Sequence, residues 1–142
     1  MQLAIAAFNS ETDGGDTPYL GALQLAYQTI AADPDLQTTG SSAPVYFILF
    51  LSDGYPTDAV NPDGSTNIAA ISQSVNAITR LASGKIKLST AYYGTINDAN
   101  AARTLSQMAA TGNGVFVNVD TSSTSSIDLS SLFQTQSGAC NL

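Results

Sequence analysis

The stretch Val45-Tyr46-Phe47-Ile48-Leu49-Phe50-Leu51-Ser52-Asp53-Gly54 decides the fold. Every residue from Val45 to Leu51 is apolar or aromatic, and the run stops abruptly at Ser-Asp-Gly. A segment this short and this apolar fits a strand buried on both faces, as in a parallel sheet covered by helices. The carboxylate of Asp53 then falls just past the carboxyl end of the strand, where open α/β sheets place their ligand sites.

Strands and helices alternate on both sides of this segment. Upstream, Leu3 to Phe8 reads as a short strand, followed by a polar stretch from Asn9 to Asp16. Thr17-Pro18 is a helix-start signal, with Thr17 at the N-cap and Pro18 at the first helical position. That helix is expected to run to about Ala32, with Leu20, Leu23, Tyr27 and Ile30 as its apolar stripe, and Pro34 forbids continuation. Residues 37–43 read as a polar loop. Downstream, a long loop from Gly54 to Thr66 precedes Asn67, which can cap a helix from Ile68 to about Ala82. Ile68, Ile71, Val75, Ile78 and Leu81 share one face of it, and Gly84 suits its exit. Ile86–Tyr93 is the next strand, in which Tyr92 and Tyr93 are expected to face opposite helix layers. A helix from Asp98 carries Ala102, Leu105 and Met108 and stops at Gly112. Val115–Val119 is the last strand, and a Ser/Thr tract from Thr121 to Ser126 leads to a short helix, Ile127–Phe133. The order β-α-β-α-β-α-β-α predicts one domain over residues 1–142, with a polar tail at 135–142. Its class is a three-layer αβα, Rossmann-like, doubly wound and mostly parallel sheet.

Composition narrows the function. The chain has 142 residues, enough for one domain with a real core. Its net charge is −7 and its only cations are Arg80, Lys85, Lys87 and Arg103, so it repels phosphate backbones and nucleic acid is not expected as a partner. There is no histidine, which removes Ser-His-Asp and Cys-His catalysis. Cys140 is the single cysteine, so a structural zinc site is excluded; the thiol is either unpaired or half of a disulfide to another chain. No apolar stretch approaches the ~20 residues that span a bilayer, and no signal peptide is visible. The low lysine content and the Ser/Thr-rich surface suggest an extracellular or cell-surface setting, where Thr121–Ser126 would be open to glycosylation.

In the expected topology the loops after successive strands share one sheet edge. That edge gathers Asn9, Ser10, Asp13, Asp16, Thr17, Asp53, Asp58, Gly94 and Thr95. A carboxylate, a hydroxyl at a helix N-terminus and oxygen-rich loops without His or Cys suit a hard cation, Mg²⁺ first and Mn²⁺ or Ca²⁺ next. Asp13 and Asp16 read better as solvated loop residues, and Asp58 as a structural residue of its loop. Asn61-Pro62-Asp63-Gly64-Ser65-Thr66-Asn67 is not an EF-hand: its glycine falls at the fourth position and no Glu closes the loop.

Several segments together resemble a family. Phe47-Ile48-Leu49-Phe50-Leu51-Ser52-Asp53-Gly54-Tyr55-Pro56-Thr57-Asp58 is similar to the fourth strand and metal-site aspartate of von Willebrand factor type A domains. Gly14-Gly15-Asp16-Thr17-Pro18-Tyr19-Leu20-Gly21-Ala22-Leu23 resembles that family's glycine-rich turn and metal-site threonine, with Asp16 inserted. Leu88–Gly94 resembles its next strand, and Leu105 through Gly114 to Val117 its late helix and strand. The resemblance implies a metal-ion-dependent adhesion site, with Thr17 giving the second-loop hydroxyl and Asp53 the third-loop carboxylate. The open position on the metal would accept a carboxylate from a protein partner.

The chain also departs from that family. It contains no Asp-x-Ser-x-Ser, and Met1–Ser10 resembles the family's second strand rather than its first. The fold expected is therefore truncated at its N-terminal side, with a gap where the family's first strand would lie. Three origins stay open: a missing part supplied by another chain or a longer parent, direct pairing of Leu3–Phe8 with Val45–Leu51, or an incomplete gene sequence. The function expected is a non-enzymatic protein-binding or adhesion module with a partial metal site. The alternatives are a Mg²⁺-dependent hydrolase-like domain, and a metal-free structural subunit completed by a strand from another chain or by homo-oligomerisation.

Overall fold

The computed structural model describes residues 16–40, 43–94 and 99–120. Leu3–Phe8, Asn9, Ser10, Asp13, Thr95, the 121–126 tract, the expected helix at 127–133 and Cys140 all lie outside the described residues. The described elements are helix α1 (Tyr19–Ala31), a short 3₁₀ turn (Pro34–Gln37), strand β1 (Tyr46–Ser52), helix α2 (Ile68–Leu81), strand β2 (Ile86–Gly94), helix α3 (Ala99–Thr111) and strand β3 (Asn113–Asp120). The strands form a parallel sheet in the order β1-β2-β3. The protein is thus an α/β fold with a parallel sheet, compatible with a Rossmann-like arrangement.

Local chemistry accounts for most element boundaries. The Asn67 side chain accepts the Ala70 N–H at 3.0 Å and starts α2. Ile71, Val75 and Ile78 are its buried stripe, at helical spacing. Helix α1 buries Tyr19, Leu23 and Ile30. The 3₁₀ turn falls inside the segment read partly as loop, and the Asp33 carboxylate holds it by accepting the Asp35 N–H at 2.8 Å. Gly84, at φ +75°, turns the chain from α2 into β2.

Among the described residues the core lies between the sheet and one helical layer. Tyr19 and Leu23 of α1, Ile71, Val75 and Ile78 of α2, and Leu105 and Met108 of α3 join Leu88 and Tyr92 of β2 in a single cluster. Tyr19 packs edge-on against Phe50 of β1 with ring centroids 4.9 Å apart. Thr90 Oγ1 donates to the Leu105 carbonyl at 2.7 Å and ties β2 to α3.

The opposite face of the sheet corrects two expectations. Phe47 and Leu51 are 39% and 55% exposed, so β1 is not buried on both faces among the described residues. Tyr93 is 56% exposed while its neighbour Tyr92 is buried, so only one of the pair is core. The physical reason is the same in both cases. Side chains alternate across the sheet, and among the described residues the helices pack on the face that carries Phe50 and Tyr92.

The entry to β3 is close-packed. Leu88 pairs with Asn113, and the register shifts between Leu88 and Thr90. A Cβ on Gly114 would collide with the Leu88 carbonyl, and Asn113 adopts φ +53° beside it. The Ser89 hydroxyl accepts the Val115 N–H at 3.1 Å within this irregularity.

Candidate functional site

The carboxyl end of β1 is a tight turn. Ser52 is buried, and its hydroxyl both accepts the Gly54 N–H and donates to the Gly54 carbonyl, each at 3.3 Å. This closes the backbone around Asp53 and leaves the Asp53 side chain exposed at the sheet edge.

The start of α1 is stitched to this turn. Tyr19 Oη donates to the Gly54 carbonyl at 2.9 Å. The Thr57 N–H donates to the Thr17 carbonyl at 3.0 Å. A Cβ built on Gly54 would lie 3.8 Å from Thr17 Oγ1, so the hydroxyl sits against the residue that follows Asp53. Thr17 and Asp53, the two expected ligands, are therefore neighbours at one edge. Asp16 is exposed directly before Thr17.

Helix α1 is not capped by Thr17, contrary to the sequence reading. The helix begins at Tyr19, Pro18 occupies the cap position, and no local side chain caps it. Asp58 does this from across the site: its carboxylate accepts the Leu20 N–H at 3.0 Å and the Gly21 N–H at 2.8 Å. An anion at a helix N-terminus satisfies orphan donors and meets the positive end of the helix dipole. Asp58 thus has a structural role, and the Thr17 hydroxyl is not committed to the helix. The sequence carried no local sign of this, because the partners are 38 and 37 residues apart.

Electrostatics at the turn act on Tyr19. Burial, chiefly, raises the Tyr19 phenol above its ordinary 10.0; the hydrogen bond with Ser52 opposes this, and the nearby Asp53 charge adds to the rise. The phenol therefore stays a donor to Gly54 across the physiological range.

The donors fit a hard cation in kind, since a hydroxyl and a carboxylate are oxygen ligands. They fall short in number: among the described residues there is no group of three or more His, Cys, Asp or Glu side chains placed to hold a metal ion. Mg²⁺ commonly takes few protein oxygens and keeps several waters, so a two-residue partial site stays within its chemistry.

Beyond Tyr55 a groove of about 740 Å³ runs between the 55–66 loop and α3, lined among others by Tyr55, Ser65, Asn100, Arg103 and Gln107. Sequence reasoning missed it, because it forms between a loop and a helix distant in the chain. The 61–66 segment is a compact turn: Asp63 accepts from the Ser65 N–H and hydroxyl, which holds its carboxyl below the usual value.

No family model, curated protein or solved structure matches the chain. Among the described residues, no helix is long and apolar enough to cross a membrane.

Proposed function

We propose that this chain is a non-enzymatic binding module of von Willebrand A-like type. In this reading it holds a divalent cation, Mg²⁺ or a similar hard ion, at a partial site formed by Thr17 and Asp53, and the cation engages a carboxylate on an extracellular or cell-surface protein partner. The observation that carries the reading is the juxtaposition of Thr17 and Asp53 at the carboxyl edge of a parallel sheet, with Asp58 relieving Thr17 of the capping role. The hydroxyl and carboxylate supply part of the coordination, and water fills the remaining positions until a partner carboxylate displaces one.

A calorimetric titration with Mn²⁺ or Mg²⁺ tests this, with Asp53→Ala alongside. Saturable binding by the unmodified chain, abolished in Asp53→Ala, is the expected result. Thr17→Ala is expected to weaken binding about tenfold, the equivalent of about 1.4 kcal/mol. Absence of saturable binding by the unmodified chain would sink the reading.

A further inference from the structure

We infer that the groove between the 55–66 loop and α3 binds a small amphiphilic monocarboxylate, an organic acid whose carboxylate meets Arg103 and whose apolar body lies on Tyr55 and Val60. Such binding needs no cation at Thr17 and Asp53.

Charge selects the kind of ligand. The chain carries eleven acids against four cations. The described residues that line the groove nevertheless include Arg103 and no Asp or Glu. The two acids of the 55–66 loop are engaged elsewhere. Asp58 accepts from the Leu20 and Gly21 N–H groups, and Asp63 from the Ser65 N–H and hydroxyl. Arg103 is exposed on α3. Its guanidinium presents a planar fork that a carboxylate matches with two hydrogen bonds. With one cation in the groove and a net charge of −7 on the chain, a single negative charge is favoured over a phosphate dianion.

The two walls are unlike. Asn100, Arg103 and Gln107 recur at helical spacing along α3 and give one polar side. The loop brings Tyr55 and Val60 to the other, and Ile68, the first residue of α2, adds to this apolar side. Tyr55 is 44% and Val60 47% exposed, so a ligand would cover apolar surface there. The Gln107 amide offers a donor and an acceptor. An acid with an apolar body and one amide or hydroxyl group matches both walls at once, whereas an inorganic anion uses only one.

The shape is prebuilt. Val60 forms an antiparallel bridge with Thr66, and the Asn61 N–H donates to the Ser65 carbonyl at 2.8 Å. Asn100 Nδ2 donates to Tyr55 Oη at 3.5 Å and links the two walls. The volume of about 740 Å³ falls inside the range of roughly 300–1,000 Å³ usual for small-molecule sites. A loop already held in place loses little freedom when a ligand binds.

Amide chemical-shift titration of the isotope-labelled full chain with N-acetylphenylalanine tests this. EDTA is present throughout, so that no cation at Asp53 can capture the carboxylate. Saturable shifts at Val60, Ser65, Arg103 and Gln107, with a Kd of about 1 mM or tighter, are the expected result. N-acetylphenylalaninamide lacks the charge and acetate lacks the apolar body; each is expected to bind at least about tenfold more weakly. Arg103→Gln is expected to weaken the acid by the same factor, while Arg80→Gln, at the end of α2, leaves it unchanged. Val60→Asp sets a like charge on the apolar wall and decides the matter if Arg103→Gln fails to fold: loss of binding is expected. Absence of saturable shifts overturns the inference, as do shifts confined to Thr17 and Asp53. So does equal binding by the neutral amide, by acetate or by inorganic phosphate, and so does an equal loss in Arg80→Gln. A tetrapeptide ending in phenylalanine that binds at least about tenfold tighter also overturns it, by assigning the groove to a protein C-terminus.

Discussion

Asp58 shows how one side chain sorts two roles at a site. By accepting from Leu20 and Gly21 it starts α1, and Thr17 is left beside Gly54 without a capping duty. Asp58→Ala is therefore expected to cost about 0.5–2 kcal/mol in denaturant unfolding, the usual range for a lost helix cap. Thr17→Ala should change stability by less than about 0.5 kcal/mol. The opposite ranking would restore Thr17 as the cap. Tyr19 supplies a second prediction at this scale. Its folded pKa is raised, so its contribution to stability is complete below the unfolded value of 10.0 and is lost as pH rises through the higher folded value. Spectrophotometric titration should show late-ionising phenols, because Tyr19 and Tyr46 are both raised above 10.0. Tyr19→Phe should remove one late-ionising phenol, leaving Tyr46, and cost about 1 kcal/mol by removing the Tyr19–Gly54 hydrogen bond.

At the scale of elements, periodicity was a good guide wherever burial is decided locally. The apolar stripe Ile71, Val75 and Ile78 and the cap at Asn67 place α2 to within a residue. The β1 run and the strand from Ile86 appear where the pattern puts them, and the sheet is parallel. The exposure of Phe47, Leu51 and Tyr93 was not legible, because an apolar residue in a strand states a preference and not what covers it. The β2–β3 junction gives the sharpest test here. Gly114 has no room for a Cβ against Leu88, so Gly114→Ala should destabilise by about 1–3 kcal/mol, the usual cost of overpacking, and disturb the Leu88–Asn113 pairing seen by cross-strand NOEs. A neutral Gly114→Ala would mean that β3 can shift away at little cost.

For the molecule as a whole, alternating strand and helix signals were enough to reach the α/β class, because topology rules leave few arrangements for that order. The place where Thr17 and Asp53 meet was legible, since Asp53 follows a recognisable strand and Thr17 lies just ahead of a recognisable helix. What joins them was not: the Tyr19–Gly54 and Asp58–Leu20 bonds link residues 35 and 38 apart, and no local pattern records such pairings. The remote cap also bears on the order in which the chain organises itself. Starting a helix is the costly step, and α1 lacks a side-chain cap of its own. The carboxylate that completes its first turn arrives only after β1 and the loop behind it have been brought round, a closure that costs chain entropy. Helix α2 carries its start signal three residues away, at Asn67, and is able to lead. Helix α1 has to wait for the strand that follows it.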